Sequence, residues 1–278
     1  MKVKNPQIYG CYDWSSATPG FLIILVDQSG SMMKPYCDGD SCAEFSAKVI
    51  NRVIGKIIGK NFNKDKPKNR CFISVIGYGY EVKELCSGFL EDLYNNPIRV
   101  ENHTQKIPDG NGGLLDVTVR LPIWVEPESI QGTTNMKGAF EQARSLVKKW
   151  MLDFPHNPAP VIINFTSNDC IPADQLDAVV DIAEELIALP YTFQKVRLLN
   201  IGIGCESKQT ILPSMIEDIS NPHDRVLWDI SSDVDNDTKF IYNEIGLTSK
   251  ESPKLLIING TLEDTCKMIS ELLGLHGF

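Results

Sequence analysis

Several patterns that would place this chain outside the ordinary globular class are missing from its sequence. The opening residues, MKVKNPQIYG, contain no apolar run of signal-peptide length. No stretch reaches the roughly 18 consecutive apolar residues of a membrane span. The eight cysteines form no Cys-x-x-Cys pair, and only Cys37 and Cys42 lie close enough in sequence for a local pair. We therefore expect a cytoplasmic protein with reduced thiols and no membrane association.

The sequence also lacks an excess of positive charge and a catalytic signature. Its 27 Lys and Arg residues stand against 36 Asp and Glu residues, for a net charge of −9. Nucleic-acid binding needs clustered basic residues to neutralise phosphates, so that class is disfavoured. There is no Gly-x-Ser-x-Gly elbow, and the four histidines fall in separate loop-like or terminal segments. Without a placed acid or base for proton transfer, we expect no enzymatic activity.

What the sequence does contain is an alternation of strand-like apolar runs and helical periods. This alternation predicts an α/β fold, with a doubly wound, mostly parallel central sheet and helices on both faces. The predicted strands are 21–26, 71–76, 161–165, 196–203 and 226–230, with an antiparallel return at 80–90. The predicted helices follow Ser41, Asn135, Pro172 and Thr261, and Leu255 to Ile258 is predicted to be an apolar link.

The chain length fits one large α/β domain with insertions. Residues 91–131 break the alternation, because two strand-like segments flank the turn-rich segment 109–113. That pattern predicts an inserted β-hairpin. We expect a single domain over 1–278, with a core at about 18–230, the insertion at about 91–131 and a C-terminal helical extension at about 237–278.

Polar side chains follow the first predicted strand at the point where it ends. Asp27, Ser29 and Ser31 alternate around Gly30 directly after a buried apolar run. Oxygen-bearing side chains at alternate positions of a tight loop can converge on one point, and such oxygens favour a hard cation. Short polar residues also satisfy backbone groups in ordinary strand-to-helix turns, so the motif alone does not decide between the two interpretations.

Two further polar segments are expected at the same edge of the sheet. Thr166, Ser167 and Asp169 follow a later predicted strand, and Thr134 lies directly before a predicted helix. Ligands of parallel α/β sheets bind beyond the carboxyl ends of the strands, where these segments should meet. A helix start facing this edge would add backbone donors and one more hydroxyl.

These residues resemble the metal-ion-dependent adhesion site of von Willebrand factor A domains. That site combines Asp-x-Ser-x-Ser with a distant Thr and a distant Asp, and here Asp27, Ser29, Ser31 and Thr134 match the first two elements. The third element departs from the family pattern Thr-Asp-Gly, because this chain reads Thr-Ser-Asn-Asp at 166–169. The resemblance therefore leaves two candidates, Ser167 at the aligned position and Asp169 two residues later.

The resemblance implies a Rossmann-like fold and a bound Mg²⁺, with Mn²⁺ or Ca²⁺ as alternatives. It also implies a protein partner that supplies an Asp or Glu carboxylate to the metal. The chain looks most similar to bacterial cytoplasmic members associated with tellurium-resistance and stress gene clusters, which carry a similar insertion at Asn96 to Val100. The rival function is a metal-dependent phosphoryl hydrolase with Asp27 as nucleophile. Such hydrolases carry a second acidic residue two positions after the nucleophile, and this chain has Ser29 there. The sequence therefore favours a binding module over a hydrolase.

Overall fold

The computed structural model describes residues 14–108, 110, 113–130, 132–167, 173–191, 194–234 and 253–275. Six helices are present in this part of the chain: α1 (Cys42–Lys60), α2 (Leu90–Asn95), α3 (Met136–Asp153), α4 (Ala173–Ala188), α5 (Arg225–Asp229) and α6 (Leu262–Leu272). The longer strands are β1 (Gly20–Asp27), β4 (Cys71–Tyr78), β5 (Val82–Phe89), β6 (Arg99–Pro108), β7 (Leu114–Ile123), β8 (Val161–Thr166), β11 (Arg197–Gly202) and β13 (Leu256–Ile258). The two-residue strands are β2 (Phe62–Asn63), β3 (Lys66–Pro67), β9 (Pro190–Tyr191), β10 (Gln194–Lys195) and β12 (Thr210–Ile211).

The central sheet has seven strands in the order β12-β13-β11-β8-β1-β4-β5. The five inner strands run parallel, and β12 and β5 are antiparallel to their neighbours at the two edges. β1 lies near the centre, between β4 and β8, which is why its residues can be apolar without interruption. The predicted fold class, a mostly parallel α/β sheet, is confirmed.

Helices cover both faces of the sheet, and β1 contributes side chains to both layers. Leu22, Ile24 and Val26 pack in one core cluster with residues of α1 and α6. Phe21, Ile23 and Leu25 pack in the other with residues of α3 and α4. Each of these side chains is at most 5% exposed, and burial of one such side chain contributes roughly 1.5–3 kcal/mol. The two cores explain the doubly wound arrangement.

Helix α1 begins at the predicted residue and buries the predicted face. The Ser41 hydroxyl accepts a hydrogen bond from the Glu44 amide, and the Glu44 carboxylate accepts one from the Ser41 amide. This reciprocal pairing satisfies two amides that the first helical turn leaves without partners. The buried positions recur at helical spacing from Cys42 to Ile58.

The predicted insertion is a β-hairpin outside the central sheet. β6 and β7 pair antiparallel over ten residues each, from Arg99 opposite Ile123 to Pro108 opposite Leu114. After β7 the chain is fixed to α1, because the Asn51 side chain accepts hydrogen bonds from the Trp124 and Val125 amides. The base of the hairpin is therefore attached firmly to the domain.

Two element predictions near the C-terminus were wrong. Residues 226–229 lie in helix α5 (Arg225–Asp229) rather than in a strand. Leu227 is the buried residue of this helix, and Ile230, its C-cap, is buried as well. Leu256 to Ile258 form strand β13 rather than a link, and this strand lies between β11 and β12. Short apolar runs suit a strand or a buried helix equally, so sheet pairing decided both cases.

The extension predicted at about 237–278 lies partly outside the described residues. Its closing helix is present as α6, which begins after Thr261 as predicted. Within the described ranges, no helix combines the length and apolar character that crossing a membrane requires.

Candidate functional site

The candidate site is built around Asp27, the last residue of β1. Its side chain is 1% exposed, and both carboxylate oxygens accept hydrogen bonds. The Ser29 amide donates to Oδ1 at 2.8 Å, and the Thr166 hydroxyl donates to Oδ2 at 3.1 Å. Burial raises the pKa of Asp27, and these hydrogen bonds offset part of that effect by favouring the charged form.

A chain of serine hydroxyls lies beside this carboxylate. Ser29 Oγ and Ser31 Oγ are 2.9 Å apart, and Ser31 Oγ and Ser167 Oγ are 2.6 Å apart. Ser29 and Ser31 come from the loop after β1, whereas Ser167 follows β8, the strand that pairs with β1. The ends of two adjacent parallel strands therefore bring these three hydroxyls together, as the sequence predicts.

The segment before α3 lies against the same loop. The Ser129 hydroxyl donates to the Ser29 carbonyl at 2.7 Å, and the Ile130 amide donates to the Gln28 carbonyl at 2.8 Å. Thr134 follows four residues after Ile130, and the Asn135 side chain caps α3 by accepting a hydrogen bond from the Gly138 amide. These contacts attach the segment that carries Thr134 to the Asp27 loop.

The Thr134 hydroxyl has an unusual environment. Thr134 is 2% exposed, and its Oγ1 has no hydrogen-bond partner among the residues that the structure describes. A buried hydroxyl without a partner costs about 1–3 kcal/mol, so such groups often indicate a ligand-binding position or strain. The chemistry of the neighbouring donor set, a carboxylate and neutral hydroxyls, suits a hard cation.

The predicted site residues therefore fall into three groups. Asp27, Ser29, Ser31 and Ser167 are joined by one set of short contacts. Thr134 belongs to the adjoining segment, and Asp169 lies outside the described residues. Among the described residues, no group of three or more His, Cys, Asp or Glu side chains could hold a metal. A cation site here would rely on hydroxyl oxygens and a single described carboxylate.

Two residues beside Asp27 are not among the predicted metal ligands, although Thr166 was expected at this edge of the sheet. The Thr166 hydroxyl donates a hydrogen bond to the Asp27 carboxylate. Its position at the end of a predicted strand was the sequence feature that indicated its place at this edge. Tyr78, at the end of β4, lies opposite Asp27 in the sheet register. Its hydroxyl donates to Asn164 Oδ1 at 2.7 Å, and the Asn164 amide donates to Asn200. No local pattern could indicate this buried network, because its members come from three strands.

The described cysteines do not form a metal clip or a disulfide near the site. Cys37 and Cys42, the pair considered from the sequence, form no disulfide, and neither do the other four described cysteines. Cys205 lies close to the site, since its Sγ is 3.8 Å from the Ser167 carbonyl. The geometry at the end of β1 therefore depends on oxygen atoms rather than on sulfur.

Comparison with known proteins gives similarity at the level of solved structures. No family model matches the chain, and no curated protein matches it. BatB from Bacteroides thetaiotaomicron is similar with a TM-score of 0.47 and 13% identity, over 92% of this chain and 99% of that one. Manganese-loaded TRAP from Plasmodium vivax is similar with a TM-score of 0.45 and 15% identity, over 92% and 74%.

A third similar structure is the vWF domain of the type V pili tip protein Mfa5 from Porphyromonas gingivalis, with a TM-score of 0.40 and 11% identity, over 94% of this chain and 97% of that one. Identities and scores this low assign no function. The α/β fold class rests on the strand order and the two helix layers of the chain itself.

Proposed function

We propose that this chain is a non-enzymatic protein-binding module with a divalent-cation site at the carboxyl ends of β1 and β8. The cation would be Mg²⁺, with Mn²⁺ or Ca²⁺ as alternatives. The partner protein would supply an Asp or Glu carboxylate. The observation that carries the proposal is the buried Thr134 hydroxyl without a partner among the described residues, on a segment bonded to the Asp27 loop.

The side chains of this site have separate roles in the proposal. Ser29, Ser31 and Thr134 would bind the cation through neutral hydroxyl oxygens. Asp27 supplies negative charge from a carboxylate that Ser29 and Thr166 hold in one orientation. Ser167 and Asp169 remain the two candidates for completing the site, and the 2.6 Å contact with Ser31 supports Ser167.

Neutral ligands determine which partner group the site would favour. A cation held mainly by hydroxyls keeps most of its positive charge and attracts an outside carboxylate. Mg²⁺ takes about six oxygen ligands, so a shell of three hydroxyls leaves positions for water and for a partner. The binding energy would come from exchange of a water for a carboxylate.

The environment of Asp27 supports a binding role over the hydrolase alternative. A nucleophilic carboxylate must reach its substrate, whereas Asp27 is 1% exposed and both of its oxygens already accept hydrogen bonds. We further propose that the chain works in the cytoplasm, beside a stress-response or kinase and phosphatase system. The six cysteines in the described part of the chain form no disulfide, as is usual for proteins of a reducing compartment.

Calorimetric titration with Mg²⁺ and Mn²⁺ tests the metal site. We expect wild-type protein to bind one of these ions and Asp27→Asn to lose binding while its far-UV circular dichroism is retained. The matched control is Asp224→Asn, because Asp224 is also buried and accepts a backbone hydrogen bond, from the Ser207 amide. This control should bind the ion as wild type does.

Two results would overturn the proposal. Absence of ion binding in folded wild-type protein would remove the metal site. Metal-dependent hydrolysis of p-nitrophenyl phosphate that Asp27→Asn abolishes and Asp224→Asn retains would establish the hydrolase instead.

A further inference from the structure

Of the twelve exposed large apolar side chains among the described residues, eight lie in two places. Five lie on or beside the hairpin: Ile98, Val100, Leu114, Leu115 and Leu121. Three others, Met33, Tyr80 and Ile130, lie on loops that adjoin the candidate site, and they are 63%, 75% and 44% exposed. We call these three residues the apolar rim.

Tyr80 and Ile130 both lie next to the loop that follows Asp27. The Ile130 amide bonds to the Gln28 carbonyl, and a Cβ at Gly79 would lie 3.1 Å from that same carbonyl oxygen. A Cβ at Gly132 would lie 3.8 Å from Tyr80 Cβ. The turn that carries Tyr80 and the segment that carries Ile130 are therefore neighbours at the site.

Met33 belongs to the loop that supplies the serines. It ends the 3-10 turn from Gly30 to Met33, which contains Ser31. The side chain of the preceding Met32 is fully buried, which fixes this turn to the core, while Met33 is exposed. The apolar rim thus lies on three segments that contact or belong to the loop that carries Ser29 and Ser31.

Tyr80 is presented on a rigid support. Its neighbours close a tight turn, in which the Gly79 amide donates to the Glu81 carbonyl at 3.1 Å. Exposed tyrosines on rigid turns favour binding, because the ring offers a large contact area and loses little entropy. The Tyr80 side chain is 75% exposed and is therefore accessible to a partner.

The charge next to the rim is compatible with an acidic ligand. Glu128, close to Ile130 in sequence, accepts hydrogen bonds from Gln28 Nε2 at 2.9 Å and from Lys83 Nζ at 2.8 Å. This carboxylate is therefore neutralised and would oppose an incoming carboxylate less. Beside the rim, Lys34 and Glu81 carry opposite charges.

We infer that the apolar rim selects partner segments in which the metal-binding Asp or Glu is flanked by an apolar or aromatic side chain. This inference rests on the proposed function, since the carboxylate would bind at the cation. The cation would contribute affinity for any acidic residue. Met33, Tyr80 and Ile130 would distinguish among acidic segments.

The test uses a displayed peptide library with a fixed central Asp or Glu and random flanking residues. Peptides are captured on the full chain in Mg²⁺ and released with EDTA. We expect apolar or aromatic residues to be enriched beside the fixed acid. Tyr80→Ala and Ile130→Ala should each weaken a selected peptide by about tenfold while calorimetric Mg²⁺ affinity stays unchanged. The matched control is Tyr94→Ala, an exposed tyrosine on α2 that packs on Phe62, and it should have no effect.

The outcomes separate this inference from the proposed function. If wild-type protein binds no Mg²⁺, both fail. If it binds Mg²⁺ but the peptides released by EDTA show no apolar flank, or no peptide is released, the selectivity is refuted and the metal site stands. If apolar residues are enriched beside the fixed acid but both rim variants bind the selected peptide as wild type does, the apolar rim does not cause the enrichment. The inference is then refuted as well.

Discussion

Replacement of Thr134 by valine separates the stability of the site from its function. Valine keeps the branched shape and removes the hydroxyl, which is buried and unpartnered in the part of the chain that the structure describes. Relieving such a group contributes about 1–3 kcal/mol. For a chain of this size, one kcal/mol shifts the melting temperature by about 2–4 °C. In EDTA, Thr134→Val should therefore melt roughly 2–12 °C above wild type.

The same variant should lose its response to metal. A ligand at about 100 times its dissociation constant stabilises the folded state by about 2.7 kcal/mol. Wild-type protein should show a shift of this order on addition of Mg²⁺, and Thr134→Val should show a much smaller one. Differential scanning fluorimetry in EDTA and in Mg²⁺ measures both effects on the same samples.

Thr265 offers the matched control for this experiment. It is also fully buried, its Oγ1 likewise lacks a partner among the described residues, and it lies on α6 rather than in the site. Thr265→Val should gain stability in EDTA by a similar amount and keep the full response to Mg²⁺. If Thr134→Val melts below wild type in EDTA, the hydroxyl has a partner in the free protein and the reasoning is refuted.

Three further predictions concern pH, the buried network and the helix cap. Burial raises the pKa of Asp27 above its ordinary value of 3.8. Between pH 3.8 and the raised pKa, the folded state therefore binds more protons than the unfolded state. The contribution of Asp27 to the free energy of unfolding falls as pH rises through that window. Asp27→Asn should therefore raise the urea midpoint at neutral pH in EDTA, and a lower midpoint would contradict this. Tyr78→Phe leaves Oδ1 of the Asn164 side chain without this donor and should cost about 1–3 kcal/mol in urea unfolding; an unchanged free energy of unfolding would argue against this bond. Ser41→Ala removes the cap that accepts from Glu44 and should cost about 1 kcal/mol, measured the same way, with no change in Mg²⁺ affinity.

Local patterns in the sequence were sufficient for the elements that carry their own signals. The run from Phe21 to Val26 is apolar at every position and follows Pro19 and Gly20, a combination that favours a strand buried on both faces. Ser41 and Glu44 form their capping box within four residues. The turn-rich segment at 109–113 indicated the hairpin because turn chemistry is also local. In each case the physical cause lies within a few neighbouring residues.

The candidate site was predictable in part for a related reason. Asp27, Ser29 and Ser31 lie within five residues of one another, and the strand order of an α/β sheet places the end of β8 beside them. The contact between Ser31 and Ser167 follows from that topology. Whether the arrangement binds a cation stays a prediction, and the contribution of Asp169 lies outside the described residues.

Only the tertiary structure decided the features that depend on pairing between distant segments. Residues 226–229 became part of helix α5 and Leu256 to Ile258 a sheet strand, although both come from short apolar runs. The bond from Ser129 to the Ser29 carbonyl and the position of Tyr78 opposite Asp27 likewise join residues remote in sequence. The amino-acid sequence determined which residues could form strands, turns and caps, because those preferences are local. Register and packing determined which of them meet, because a short segment acquires its environment only from the chain that folds around it.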